Sequence, residues 1–211
     1  MQTQLKAIVF DIGNVLACRL DVCERLVEYS DLSVENIRQR VFGGNLYSMH
    51  NIGHIASEDF FVKIAYAMRA KKSLSYEKFK KIWGSVLVQN EDMDFLLLPR
   101  IKKNVKLFVI SNADKIRWEK AKSLSVMQRY FPDPDQAALS FHHNIAKPDE
   151  RLYQVILQRA GIGPSEILYV DDNKKHIEAF ESLGGLCAEY NCQKDEIDSL
   201  ADIMDGFNIL S

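Results

Sequence analysis

The chain has 211 residues, 47% apolar and 27% charged, enough apolar side chain for a packed core, which excludes disorder as its main state. Lys and Arg number 27 against 29 Asp and Glu, a net charge of −2, so the basic excess expected of a surface that holds nucleic acid or anionic membrane is missing. No run approaches the ~20 apolar residues of a bilayer span, and Met1 to Lys6 lack a basic region followed by an apolar block. The expectation is a cytoplasmic protein.

In chain order, residues 4–10 read as a strand whose second half, Ala7-Ile8-Val9-Phe10, is wholly apolar and stops at Asp11. Such a run suits a parallel strand buried on both faces. Residues 18–90 break this rhythm with helical periodicity only, at Val22, Leu26 and Val27 and again at Phe60, Phe61, Ile64, Ala65 and Met68. Polar breaks around Ser30-Asp31, Gly43-Gly44, Ile52-Gly53-His54 and residues 71–75 divide its helices. The aromatics Phe42, Tyr47, Phe60, Phe61 and Tyr66 are expected mostly in the core of this block. Strands follow at 105–110, ending at Ser111-Asn112, and at 167–170, ending at Asp171-Asp172, with weaker ones at 137–141 and 186–190. Helices are expected at 114–130, at 149–160 (stopped by Gly161) and at 173–183 (stopped by Gly184). The tail, 193–211, reads as an amphipathic helix packed on the sheet through Ile197, Leu200, Ile203 and Met204. Strands alternating with helices give an α/β fold with a doubly wound parallel sheet, interrupted by one helical insertion. Cys18, Cys23, Cys187 and Cys192 have neither the spacing nor the histidines of a zinc site and are expected as free thiols.

In an open parallel sheet the carboxyl ends of the strands form the ligand crevice. Here those ends carry Asp11, Ser111-Asn112 and Asp171-Asp172. An Asp at a single strand end is commonly a cap or turn residue. Three carboxylates gathered at one edge call for a cation, and their hard oxygens suit Mg²⁺ with a phosphate. Lys147, held before a helix by Pro148 at its first position, can offer an ammonium to that phosphate and to a nucleophilic carboxylate.

Phe10-Asp11-Ile12-Gly13-Asn14-Val15-Leu16, Val109-Ile110-Ser111-Asn112, Lys147-Pro148-Asp149 and Tyr169-Val170-Asp171-Asp172-Asn173 resemble, in order and spacing, the four motifs of the haloacid dehalogenase superfamily. The resemblance runs nearly the whole chain and is nearest to small bacterial phosphatases of sugar phosphates, whose first motif also reads Asp-x-Gly-Asn. It implies a Rossmann-like core of residues 1–17 and 91–211 and a helical cap of residues 18–90. It implies a Mg²⁺-dependent phosphomonoester hydrolase acting on a small phosphorylated metabolite, many such small relatives being monomers. Asp11 would be the nucleophile, forming an aspartyl-phosphate that water hydrolyses. Asp11, the Gly13 carbonyl and Asp172 would hold the metal, with Asp171 in its outer sphere. Ser111, Asn112 and Lys147 would hold the phosphoryl oxygens, helped by turn amides near Gly13 and Asn14.

Two departures stand out. Most phosphatases of this kind carry a second Asp, a general acid and base, where this chain has Gly13. His50 or His54 from the cap, both expected at the surface, or a leaving group that needs no proton, would have to replace it. Resembling sequences also carry Glu and Arg where the cap turn here has Asn51 and Ile52, which weakens a direct transfer of sugar-phosphate specificity. These departures leave a catalytically silent binding or regulatory protein as an alternative. A dehalogenase stands further off, since dehalogenases of this fold lack the paired acids Asp171-Asp172, and a phosphomutase would need the second Asp.

Overall fold

The computed structural model describes residues 4–211. The N-terminal stretch read for a leader thus begins at residues 1–3, outside the described residues. The strands are β1 (Ala7–Phe10), β2 (Ala17–Arg19), β3 (Leu87–Gln89), β4 (Lys106–Ser111), β5 (Ala137–Leu139), β6 (Ile167–Asp171) and β7 (Leu186–Glu189). Five of them form one parallel sheet in the order β5-β4-β1-β6-β7. The chain steps outward from β1 through β4 to β5, then returns to the other side of β1 for β6 and β7. That reversal makes the carboxyl end of β1 a topological switch point, where a Rossmann-like sheet opens a crevice.

Both faces of the sheet are buried, and period-two alternation assigns the residues. Ile8, Phe10, Val109, Leu168 and Val170 face one layer, while Ala7, Val9, Phe108, Ile110, Ile167 and Tyr169 face the other. Helices α6 (Lys115–Lys122), α7 (Ser125–Tyr130) and α11 (Ile197–Gly206) cover the first face. Helices α9 (Glu150–Ala160) and α10 (Lys174–Ser182) cover the second. Burying one such Phe, Leu or Ile contributes about 1.5–3 kcal/mol, so the continuous apolar runs are what fix this sheet.

Between β1 and β4 lie α1 (Val22–Leu26), α2 (Val34–Phe42), α3 (Leu46–Asn51), α4 (Ser57–Ala67) and α5 (Tyr76–Gly84). They enclose an apolar cluster of their own around Ile37, Phe60, Ile64, Phe79 and Trp83. Among the described residues, no helix is long and apolar enough to cross a membrane.

Several expectations are corrected. The insertion is not helical throughout: β2 and β3 pair antiparallel at its base, and three-residue strands of mixed burial leave no legible period. The helix expected over 114–130 is two, parted at Ser123-Leu124, and the strand expected over 137–141 ends at Leu139, where a short helix, α8 (Ser140–His143), begins. Pro148 does not open a helix: α9 starts at Glu150, because the Asp149 side chain accepts from the Arg151 amide at 3.0 Å as its cap. Of the aromatics assigned to the insert's core, Tyr66 is 88% exposed. In the tail helix Ile203 is exposed, while Ile197, Leu200 and Met204 are buried as expected. Cys18 and Cys192 are not free thiols but a disulfide, with Cα atoms 6.0 Å apart; Cys23 and Cys187 are free. A sequence separation of 174 hides the pair, since β2 and the loop after β7 meet only in the fold, where the Cys192 amide donates to the Asn14 carbonyl at 2.8 Å.

Candidate active site

Strand register gathers the site. Phe10 pairs with Val109 and Val170, so Asp11 stands level with Asp171 and one residue short of Ser111 at the edge of the sheet. The Asp11 amide donates to the Val170 carbonyl at 2.9 Å, which locks the nucleophile candidate to β6. A cavity of about 310 Å³ opens there, bounded by Asp11, Gly13, Ser111, Asn112, Lys147 and Asp172, all expected from the sequence.

Lys147 is the hub. Its Nζ lies 2.8 Å from Asp11 Oδ1, 2.6 Å from Asp171 Oδ2, 3.0 Å from the Ile110 carbonyl and 3.1 Å from Tyr169 Oη. The Lys147 side chain is 1% exposed. Burial opposes its charge, but the two carboxylates outweigh burial and raise its pKa. Burial and the neighbouring carboxylates raise Asp11, despite Lys147. Asp171 goes the other way: burial would raise it, yet Lys147 and His176 bring it well below the carboxylate range. The Asn112 side chain positions the lysine, donating to the Lys147 carbonyl at 2.9 Å and accepting from the Lys147 amide at 2.8 Å.

The donor set fits a hard divalent cation. Oxygens of Asp11, Asp171 and Asp172 all lie within 4.8 Å of one another. Asp171 is already committed to Lys147, the Tyr169 hydroxyl, the Asn173 amide at 2.8 Å and His176 Nδ1 at 3.1 Å, which suits an outer position. Asp172 accepts on Oδ2 only, from Asn14 at 2.8 Å and Asn191 at 3.3 Å, so Oδ1 is left for a ligand. Two expectations shift. Asn14 is no free amide donor, since its N–H donates to the Ala17 carbonyl at 2.7 Å and its side chain serves Asp172. His50 is not at the surface but 2% exposed, stacked on Phe60 with centroids 4.0 Å apart; neither it nor the exposed His54 lines this cavity.

Sequence reasoning missed Tyr169, His176, Asn191, Arg19 and Arg117. Period two could have found Tyr169, two residues before Asp171 on the same strand. The others come from separate elements that only the fold brings together. Tyr47 and Asn51, from the helical insert, also line the cavity.

A lysine-bridged pair of carboxylates thus lies at the switch point of a doubly wound sheet, beside oxygen donors that fit a cation. The chain belongs to the haloacid dehalogenase-like hydrolases, whose family model matches residues 5–184. It is similar to the phosphorylated carbohydrates phosphatase of Thermotoga maritima, at 22% identity over 195 residues, covering 85% of this chain and 82% of that protein. It resembles the solved family enzyme of Bacteroides thetaiotaomicron in complex with magnesium and inorganic phosphate, with TM-score 0.73 and 22% identity over 90% of this chain and 96% of that one. The L-2-haloacid dehalogenase of Xanthobacter autotrophicus, with chloropropionic acid covalently bound, gives TM-score 0.65 and 16% identity over 98% of this chain and 85% of that one. These structures share the fold.

Proposed function

We propose that the protein is a Mg²⁺-dependent phosphatase of a small phosphorylated carbohydrate, working through an aspartyl-phosphate on Asp11. The observation that carries this is Lys147 held between Asp11 and Asp171 at the switch-point cavity. The named Thermotoga relative supports the substrate class, and the magnesium and phosphate in the Bacteroides structure support the metal.

In this reading an Asp11 carboxylate oxygen attacks phosphorus in line, the ester P–O bond breaks, and the leaving oxygen takes its proton from water, since Gly13 offers none. Water then attacks the same phosphorus, breaks the bond to Asp11, and releases inorganic phosphate. Lys147 and Ser111 hold equatorial phosphoryl oxygens, and Lys147 offsets the repulsion between two anions that must meet. Asp11, the Gly13 carbonyl and Asp172 would hold Mg²⁺, which when bound neutralises phosphoryl charge, with Asp171 in the outer sphere. Residues 18–90 would act as a cap over a core of residues 1–17 and 91–211, and their separate apolar cluster supports that division. The test is hydrolysis of p-nitrophenyl phosphate with and without Mg²⁺, whose aryl leaving group scarcely needs the acid missing at Gly13. Activity should require both Mg²⁺ and Asp11; equal inertness of wild type and Asp11→Asn would overturn the proposal.

A further inference from the structure

Two arginines that no motif announces line the cavity holding Asp11 and Lys147: Arg19 from β2 and Arg117 from α6. Arg117 is 5% exposed, yet its guanidinium makes one hydrogen bond among the described residues, from Nη1 to Tyr47 Oη at 2.5 Å. Nε has no partner. The nearby carboxylate, Asp114, is 3.7 Å from Nε and is already occupied by Trp83 Nε1 at 2.9 Å and the Arg117 amide at 3.0 Å. Guanidinium carries five N–H donors, and leaving buried donors unmet is costly. Stacking sets its orientation, with its carbon 4.5 Å from the Trp83 ring centroid and 5.2 Å from that of Tyr47, so the faces are covered and the donors on its edge stay free.

Arg19 lines the same cavity. Its backbone bonds to Asn14 and Gln193, while its side chain makes no ion pair or hydrogen bond among the described residues. Its stem lies over Gly13, in the space where a larger residue 13 would begin. Lys147, with the Mg²⁺ that the carboxylates would hold, answers the charge of a single phosphoryl group, and the two guanidiniums are surplus to that task.

Resting on the phosphatase reading, we infer that Arg19 and Arg117 form a second anion subsite, so that the preferred substrate is a phosphorylated carbohydrate bearing a further carboxylate or phosphate. A planar, fixed guanidinium matches either group bidentately, and charge-assisted bonds of this kind discriminate strongly against a neutral analogue.

The test compares kcat/KM for glucose 6-phosphate, 6-phosphogluconate and glucose 1,6-bisphosphate, in wild type, Arg19→Gln and Arg117→Lys. Wild type should favour at least one doubly anionic ester by about 10–100-fold, the scale of a charged hydrogen-bonded contact. The carboxylate and bisphosphate arms tell which anion is read. Each substitution should cut that preference about 10-fold, mainly through KM. Equal kcat/KM for all three esters in an enzyme active on p-nitrophenyl phosphate would overturn the subsite alone. A preference that survives both substitutions would do the same. Inertness of the wild type toward every ester, p-nitrophenyl phosphate included, would overturn the phosphatase reading and the subsite with it. Should Arg117→Lys fail to fold, the exposed Arg19 decides.

Discussion

A Cβ on residue 13 would stand 2.7 Å from Cδ of Arg19, closer than two such atoms can approach, so Gly13 and Arg19 occupy one volume between them. Gly13, which offers no acid side chain, is thus also the residue that makes room for the Arg19 side chain beside Asp11. Gly13→Ala is therefore expected to push the Arg19 side chain aside. Because Arg19 is exposed and flexible, stability should change by less than ~1 kcal/mol. The preference for doubly anionic esters should fall as it does in Arg19→Gln. Thermal denaturation and the same ester comparison check this; an unfolded variant, or an undiminished preference, would break the coupling of the two residues.

Lys147 is buried between two carboxylates, and deleting it leaves their charges uncompensated. Lys147→Met should lose about 3–5 kcal/mol, the cost of breaking a buried ion pair from one side. For a chain of this size that lowers Tm by roughly 10 °C. Measured in EDTA, an unchanged Tm would show that the ammonium does not hold the site together.

Asn14 has φ +58°, a backbone Gly also adopts, and its side chain donates to Asp172. Asn14→Gly thus removes this hydrogen bond, together with the one its Oδ1 accepts from the Arg19 amide at 3.0 Å, without straining the turn. Losing a partner of this kind typically weakens a metal site about 10–100-fold. Calorimetric titration with Mg²⁺ should read that loss, and unchanged affinity would take Asn14 out of the orientation of Asp172.

The Cys18–Cys192 bond ties β2, which carries Arg19, to the loop that carries Asn191. Thiol titration of the denatured, unreduced protein should find two thiols per chain, Cys23 and Cys187. Four would contradict the pairing.

The central strands could be read directly, because β1, β4 and β6 carry apolar runs buried on both faces that stop at Asp11, Ser111 and Asp171. That reading also set Asp11, Ser111, Asp171 and Asp172 at one edge of the sheet; Lys147 joins them from a loop, although Pro148 does not open a helix as expected. What escaped it depends on partners distant in sequence. Arg117 reads as a surface cation on a helix until Trp83 and Tyr47 close over it. His50 reads as a polar turn residue until Phe60 and Ser57 bury it. The β2–β3 pair has no sequence period because its six residues are of mixed burial. Local pattern specified the sheet, and long-range contacts specified the cavity's outer wall.

The most direct measurement is an acid quench of the enzyme turning over radiolabelled acetyl phosphate with Mg²⁺. The account predicts label on the peptide containing Asp11, stable in acid, lost on neutral hydroxylamine treatment and absent from Asp11→Asn. Turnover without label on that peptide, or equal label on Asp11→Asn, would contradict Asp11 as the nucleophile.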